Sequence, residues 1–341
     1  MYLRNSWYVV AWSTELGKDA LTIRALGERL VIFRGAEGAV RILEDRCPHR
    51  HLPLSMGKIE GDAIRCGYHG ILIGSSGTCL NVPNQATVPP RANIRVYPAA
   101  ERYGWVWAWM GDPAQADSAL IPDLSPLTDP GYRAVGKTNH VRASYQLVVD
   151  NLMDLSHAGF VHTSTIGSPG HLERAHLASV RTERGVRVLR TVAKVPAPPT
   201  YVKSGRLPPG KLIDRWNIID YIAPSYVKIH VGGAEAGTGA LEGRYEHGLN
   251  FWVTNAITPE TEETCNYFWA FVRCHALDDP NADTFFLSQV SEAFEEDRRV
   301  LEAQQEALSE RGDSWANALR ADAGSIESRR VLKDLIEQET T

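Results

Sequence analysis

Cys47-Pro48-His49 and Cys66-Gly67-Tyr68-His69 place one cysteine and one histidine in each of two short segments, with sixteen residues between them. Two thiolates and two neutral imidazoles can close a tetrahedral zinc site. They can also hold a [2Fe–2S] cluster whose cysteines take one iron and whose histidines take the other. Zinc sites more often pair C-x-x-C with a separate histidine pair, whereas two loops that each give one Cys and one His suit split ligation of a cluster. The spacing therefore favours the cluster. Neutral ligands on one iron raise its potential to roughly −150 to +300 mV, against about −400 mV for an all-cysteine cluster. The chemistry expected here is one-electron transfer.

A second group lies in Asp150-Asn151-Leu152-Met153-Asp154-Leu155-Ser156-His157-Ala158-Gly159-Phe160-Val161-His162, where three carboxylate or carboxamide side chains and two histidines interrupt an apolar helical pattern. Asp154 and His157, three apart, are neighbours on one helical face. His162 lies five beyond His157 and rotates off that face, so both imidazoles reach one metal only if the helix ends or bulges between them, as Gly159 permits. Two histidines call for a third ligand, usually a carboxylate, if they are to hold a catalytic iron. The candidate is Asp297. Phe286, Val290, Phe294, Asp297 and Leu301 recur at helical spacing, which sets this acid in a core-facing stripe where a carboxylate is costly unless paired or metal-bound. Glu295 and Glu296 project elsewhere, and Glu296 is the next choice.

The elements that must position these residues divide into two sets. From Trp7 to Trp109, short apolar runs broken by Gly, Pro and Asp (Leu30 to Phe33, Val40 to Leu43, Ile71 to Ile73, Trp105 to Trp109) predict a small all-β domain. Pro113, Pro122, Pro126 and Pro130 mark a non-helical connection, and the boundary is drawn at 117/118. Beyond it, strands are predicted over Val135 to Val141, Val186 to Val195, Asp214 to Tyr221, Tyr226 to Val231, His247 to Ile257 and Asn266 to Cys274. Helices are predicted over Tyr145 to His157, Asp283 to about Arg311 and Ile326 to Gln338. The second domain is thus α+β, an antiparallel sheet flanked by helices. Gly232-Gly233-Ala234-Glu235-Ala236-Gly237-Thr238-Gly239 follows a strand and precedes another, so it predicts a hairpin loop rather than a dinucleotide-binding turn.

Composition narrows the class. The chain has 341 residues and a net charge of −5, with 36 Lys and Arg against 41 Asp and Glu and no basic block, which argues against a nucleic-acid partner. No apolar run approaches the roughly 18 residues of a membrane span, and the N-terminus lacks a signal-peptide pattern, so a cytoplasmic protein is expected. Five scattered cysteines are too few for a disulfide framework.

Taken together, the Cys47, His49, Cys66 and His69 pattern and the 150–162 segment resemble the oxygenase component of Rieske non-haem iron monooxygenases, over nearly the whole chain. Within that family the chain is most similar to the vanillate O-demethylase type and more distantly to the dicamba O-demethylase type. Arg4-Asn5-Ser6-Trp7-Tyr8-Val9, Ala100-Glu101-Arg102-Tyr103-Gly104, Ile257-Thr258-Pro259-Glu260 and Ser328-Arg329-Arg330-Val331-Leu332 carry the likeness. The resemblance implies a Rieske [2Fe–2S] domain at 1–117 and a helix-grip catalytic domain at 118–341, with mononuclear Fe(II) on His157, His162 and Asp297 and Asn151 near it. It further implies a homotrimer in which Asp154 links cluster ligand His69 of one subunit to His157 of the next. The implied reaction is O2-dependent O-demethylation of a methoxylated aromatic such as vanillate, releasing formaldehyde. Its electrons come from a separate flavin and ferredoxin-type NAD(P)H reductase, since the chain has no nucleotide site of its own.

Tyr221, Trp252, Asn255, Phe286 and Phe294 are expected to line the substrate pocket, and no arginine can be assigned to a substrate carboxylate. N-dealkylation or hydroxylation of an aryl methyl group would use the same machinery. A Rieske electron carrier would need only the first hundred or so residues and would leave Asp154, His157, His162 and Asp297 without a purpose. A ring-dihydroxylating dioxygenase shares both sites but usually has a longer catalytic subunit and a small β partner.

Overall fold

The computed structural model describes residues 1–167, 175–204, 207, 210–312 and 317–340. The chain divides into two compact units, Met1–Ile121 with Thr258–Thr261, and Pro122–Ile257 with Glu262–Thr341. The change of unit falls in the proline-bearing stretch, which runs through one-turn 3-10 segments at Pro113–Gln115, Ser118–Leu120 and Ser125–Leu127. Pro113 and Pro126 sit in first turns, where the missing N–H costs no helical hydrogen bond, and Asp112 and Asp117 accept from Ala114 N and Ala119 N to cap the first two.

The first unit holds ten short strands: β1 (Trp7–Trp12), β2 (Leu21–Ala25), β3 (Glu28–Arg34), β4 (Val40–Glu44), β5 (Lys58–Glu60), β6 (Ala63–Arg65), β7 (Leu72–Gly74), β8 (Cys79–Asn81), β9 (Ala99–Arg102) and β10 (Trp105–Trp109). They form three antiparallel sheets in the orders β1-β10-β9, β2-β3-β4 and β5-β6-β7-β8. β3 explains why Leu30 to Phe33 is apolar without a break. Leu30 and Ile32 enter one core with Tyr8 and Val106, while Val31 and Phe33 enter another with Leu54, Ile64, Cys47 and Cys66. A strand buried on both faces has no polar face to alternate with.

The second unit is built on seven strands: β11 (Arg133–Val141), β12 (His176–Thr182), β13 (Gly185–Pro196), β14 (Leu212–Ile222), β15 (Tyr226–Glu235), β16 (Leu249–Pro259) and β17 (Cys265–Arg273). Their order is β11-β17-β16-β15-β14-β13-β12. The helices are α1 (Tyr145–Met153), α2 (Ala158–Val161), α3 (Pro199–Lys203), α4 (Pro280–Arg311) and α5 (Ala323–Thr340). α1 lies on β14 and β15 and packs against both α4 and α5. α4 starts where Asp279 accepts from Asn281 N with Pro280 at the first position, and it stops at Gly312 in the left-handed conformation. Its buried residues are Phe286, Val290, Ala293, Phe294, Asp297 and Leu301, the stripe read from the sequence with Ala293 added. The expected α+β class is therefore observed, with a large antiparallel sheet and helices after an all-β first unit. Among the described residues no helix is long and apolar enough to cross a membrane.

Three local expectations need correction. The helix predicted over Tyr145 to His157 ends at Met153, because Asp154 takes an extended conformation and its carboxylate caps the next turn through Ser156 N. The chain then passes through a 3-10 turn at Leu155–His157 into α2, so the break lies at Asp154, and Gly159 is inside α2. β12 was not predicted. It is an edge strand with mostly exposed residues, and it has no apolar alternation to announce it. The glycine cluster is only partly a turn. Gly232 and Gly233 continue β15, where a Cβ on Gly232 would meet the Trp216 ring at 2.2 Å, and Gly237 and Gly239 supply the positive φ of the loop.

Candidate metal centres

The two Cys-His loops of the first unit share one backbone design. Cys47 N donates to Leu52 O and His51 N to Cys47 O; in the second loop Cys66 N donates to Ile71 O and Gly70 N to Cys66 O. The fifth residue of each turn has positive φ, +60° at His51 and +71° at Gly70. Both cysteines are buried, while His49 and His69 stand exposed at the loop tips with ring centroids 4.6 Å apart. The Cys47 thiol faces that of Cys66, and burial raises its pKa first, the neighbouring thiol adding to this. Cysteine thus meets cysteine and histidine meets histidine. The four ligands of a single tetrahedral ion would all stand within about 4 Å of one another. Among the described residues the one group of three or more potential ligand atoms within 4.8 Å of one another lies elsewhere. Paired donors of this kind fit a two-iron cluster held by thiolates at one end and imidazoles at the other.

That other group is His157, His162 and Asp297. One Oδ1 of Asp297 lies 3.3 Å from His157 Nε2 and 3.1 Å from His162 Nε2, and the two rings are 5.2 Å apart at 73°. The bend at Asp154 and the single turn of α2 carry both histidines to α4, a convergence that an unbroken helix would prevent. The remaining ring nitrogens are held in place. His157 Nδ1 donates to the Asp154 main-chain carbonyl at 2.8 Å and His162 Nδ1 to Glu296 Oε2 at 2.8 Å. This tautomer turns the Nε2 lone pairs toward the carboxylate. Burial would raise the Asp297 pKa, but the two imidazoles outweigh it and hold the carboxyl well below its usual range. Burial lowers His162, yet Asp297 and Glu296 together leave it raised. His162 Nε2 is buried with no hydrogen-bond partner among the described residues, an orphaned donor atom aimed at the point where the three side chains meet. Two imidazoles and one carboxylate on one side of an open position are the donor set of non-haem Fe(II), so the residues present fit that metal.

The surrounding groups are as specific as the trio. Asn151 Nδ2 donates to Asp297 Oδ1 at 3.2 Å, which brings Asn151 to the site as expected. The Asp154 carboxylate accepts from Ser156 N and Ser156 Oγ, so its contact with His157 runs through the main chain. Glu296, the alternative third ligand, stands on the far side of His162 and also accepts from Thr165 Oγ1. A carboxylate that orients a ligating imidazole typically contributes ten- to a hundredfold in metal affinity. Glu296→Ala is accordingly expected to weaken mononuclear metal binding by about that factor while the visible cluster spectrum stays unchanged, as metal analysis after dialysis against a chelator would show.

A cavity opens beside the trio, walled by α1, α2, α4 and the inner face of β14 to β17. Its lining is largely apolar, with Phe251, Phe271, Phe294, Val253 and Val290 among the residues, and it includes Arg215 and Asn217. Of the five side chains expected in the pocket, Phe294 lines it. Trp252 lies one residue out of phase with Phe251 and Val253, and its ring stacks on His230 at 4.3 Å. Asn255 is used up inside the sheet, donating to Val227 O and accepting from Tyr267 Oη. Tyr221 Oη donates to Pro224 O, away from the cavity. Phe286 packs behind it against Phe251 and Phe271. Arg215 and Asn217 were missed, although they are polar residues at alternate positions between Ile213 and Ile219, all of them buried. A polar pair on the inner face of a buried strand was the signal that could have found them.

Comparison with known proteins agrees with this geometry. Residues 6–98 match the family model described as Rieske [2Fe-2S] domain, and residues 141–338 match the one described as Vanillate O-demethylase oxygenase C-terminal domain. The chain is 36% identical over 341 residues to the iron-sulfur subunit TsaM1 of a toluene-4-sulfonate monooxygenase system from Comamonas testosteroni, covering 99% of this chain and 98% of the relative. It is 34% identical over 342 residues to a vanillate O-demethylase oxygenase subunit from a Pseudomonas species, covering 99% and 96%. A crystal structure of dicamba monooxygenase bound to dicamba superposes with a TM-score of 0.90 at 32% identity, covering 99% of each chain.

Proposed function

The chain belongs to the Rieske non-haem iron oxygenases, and from that premise we propose that it carries out oxidative O-demethylation of a methoxylated aromatic compound. It is a monooxygenase component whose cofactors are a Rieske [2Fe–2S] cluster and mononuclear iron, and which works with a separate reductase on an aromatic substrate. In this reading Cys47, Cys66, His49 and His69, within a first domain of residues 1–117, hold the cluster. His157, His162 and Asp297, within a catalytic domain of residues 118–341, hold the iron. The observation that carries the reading is the convergence of two Nε2 atoms and a buried carboxylate at the wall of an apolar cavity.

The bound metals supply electrons one at a time and activate O2. The chain's residues do the rest. Glu296 and the Asp154 carbonyl fix the imidazole tautomers so that Nε2 of each ring faces the open position. Asn151 holds Asp297 Oδ1 in place, and the apolar walls exclude bulk water from the reacting carbon. One oxygen atom enters a C–H bond of the methoxy group and the other leaves as water, with two electrons and two protons consumed. The resulting hemiacetal collapses to a phenol and formaldehyde.

In the assembled enzyme, a homotrimer in this reading, Asp154 connects His157 to His69 of the partner subunit. The reductase is a flavin and ferredoxin-type protein using NAD(P)H, and the complex works in the cytoplasm. Hydroxylation of an aryl methyl group is the second reading, favoured by the 36% identity to the toluene-4-sulfonate monooxygenase subunit. NAD(P)H-driven turnover with a reductase from this family, on panels of methoxy-, methyl- and N-methyl-substituted aromatics, separates the readings. Formaldehyde with a phenol is the expected result. A benzylic alcohol without formaldehyde would establish the second reading, and formaldehyde with an amine would establish N-dealkylation.

A further inference from the structure

The inner face of β14 carries Ile213, Arg215, Asn217 and Ile219, all less than 5% exposed, and its two polar members line the cavity beside the metal-ligand trio. Alternate residues of a strand point to the same side and stand about 7 Å apart, so the guanidinium and the carboxamide form one polar patch in an otherwise apolar wall. The patch is built. The Arg215 guanidinium carbon lies 5.3 Å from the centre of the Tyr201 ring, a cation–π contact that fixes its position. Directly across the ladder from Arg215 is Gly233, where a Cβ would come within 2.6 Å of Ile213 and 3.4 Å of the Tyr201 ring. The absent side chain is the room in which Arg215 and Tyr201 pack. Arg190, 4% exposed, stands opposite Asn217 on β13 and adds a second buried guanidinium to the same face. Among the described residues the cavity's single acid is Asp297, and it faces the two imidazoles.

We infer that Arg215, together with Asn217, binds the acidic group of the substrate, a carboxylate or sulfonate carried on the aromatic ring. The inference rests on the aromatic oxygenase reading and names the substrate class of that same cavity. A guanidinium presents a fork of N–H donors that matches the two oxygens of such a group, and the surrounding hydrocarbon strengthens the contact by excluding water. The apolar side chains Phe251, Phe271, Phe294 and Val253 take the ring. The distance from the acidic group to the ring substituent then selects which carbon lies over the metal, so Arg215 also sets the regiochemistry.

The test is a calorimetric titration of the holoenzyme with benzoate, benzenesulfonate and the neutral isostere benzamide. The wild-type protein should bind at least one anion about ten- to a hundredfold more tightly than benzamide, the range set by one charge-assisted hydrogen-bonded contact. The tighter of the two anions identifies the acid. Arg215→Gln should remove that preference with benzamide affinity unchanged, Arg215→Lys should keep part of it, and Asn217→Ala should reduce it. A merely structural role would weaken all three ligands together. Equal wild-type affinity for benzamide and both anions would overturn the assignment, as would a uniform loss in Arg215→Gln. Should Arg215→Gln fail to fold, by its cluster spectrum and melting temperature, wild-type selectivity and Asn217→Ala decide the matter. None of these titrations requires turnover. An anion preference without formaldehyde release would therefore retain the anchor and refute the demethylation.

Discussion

His162→Ala is expected to yield a protein with an intact visible cluster spectrum, little mononuclear iron and no detectable turnover. The imidazole is 1% exposed, bonded to Glu296 at Nδ1 and with its Nε2 3.1 Å from Asp297 Oδ1, so its removal takes away one of the three side chains that meet at this point. Removal of a group that only orients a ligand costs ten- to a hundredfold in affinity, and removal of the ligand itself must exceed that. The variant also leaves Asp297 and Glu296 as two buried or half-buried carboxylates without the imidazole between them. A buried carboxylate that loses a partner is costly, so a modest loss of stability is expected as well. Iron analysis beside the absorption spectrum is the decisive pair of measurements. Loss of the cluster spectrum together with the iron would remove the division into two independent metal sites.

The second large effect is expected at Asp154, whose side chain and main chain have separate tasks. The main-chain carbonyl holds His157 Nδ1, and the carboxylate caps the turn through Ser156 N and Oγ. Asp154→Asn keeps the carbonyl and leaves an amide oxygen to cap the turn, so iron content and cluster spectrum should match wild type. What disappears is the negative charge that, in the proposed trimer, would face an imidazole of the partner subunit. A hydrogen bond to a charged group contributes about 1.5–3 kcal/mol, so the rate of internal electron transfer should fall by roughly ten- to a hundredfold. Stopped-flow reoxidation of the reduced cluster in the presence of substrate and O2 reads this rate directly. Wild-type reoxidation in the variant would take Asp154 out of the electron path.

The parts of the molecule that could be read from sequence are those where one local pattern has one physical solution. Two Cys-His pairs at fixed spacing have few uses, and Asp297 betrayed itself by sitting in an apolar stripe where a carboxylate is costly. The loop symmetry beneath the cysteines was out of reach, because His51 has positive φ and a histidine signals that conformation far more weakly than the glycine at the matching position, Gly70. The helix break was expected at Gly159 on propensity, but Asp154 made it by capping the following turn, a competition between side chain and helix that residue types alone leave undecided. Of the five residues expected in the pocket, Phe294 lines the cavity and Tyr221, Trp252, Asn255 and Phe286 do not. Parity along β16 sends Trp252 away from the cavity and brings Phe251 and Val253 to it. Glu296 lies beside the proposed ligand Asp297, and its bond to His162 exists only because α2 and α4 meet in space.

The most direct test of the account is a single turnover without any reductase. The holoenzyme's cluster is reduced chemically, excess reductant is removed, and the protein is mixed with O2 and a panel of methoxybenzoates and methoxybenzenesulfonates. The account predicts that the cluster reoxidises as formaldehyde and a phenol appear in proportion to it, and that His162→Ala yields neither product. Reoxidation of the wild-type cluster with no oxidised product from any methoxy, methyl or N-methyl aromatic would contradict it.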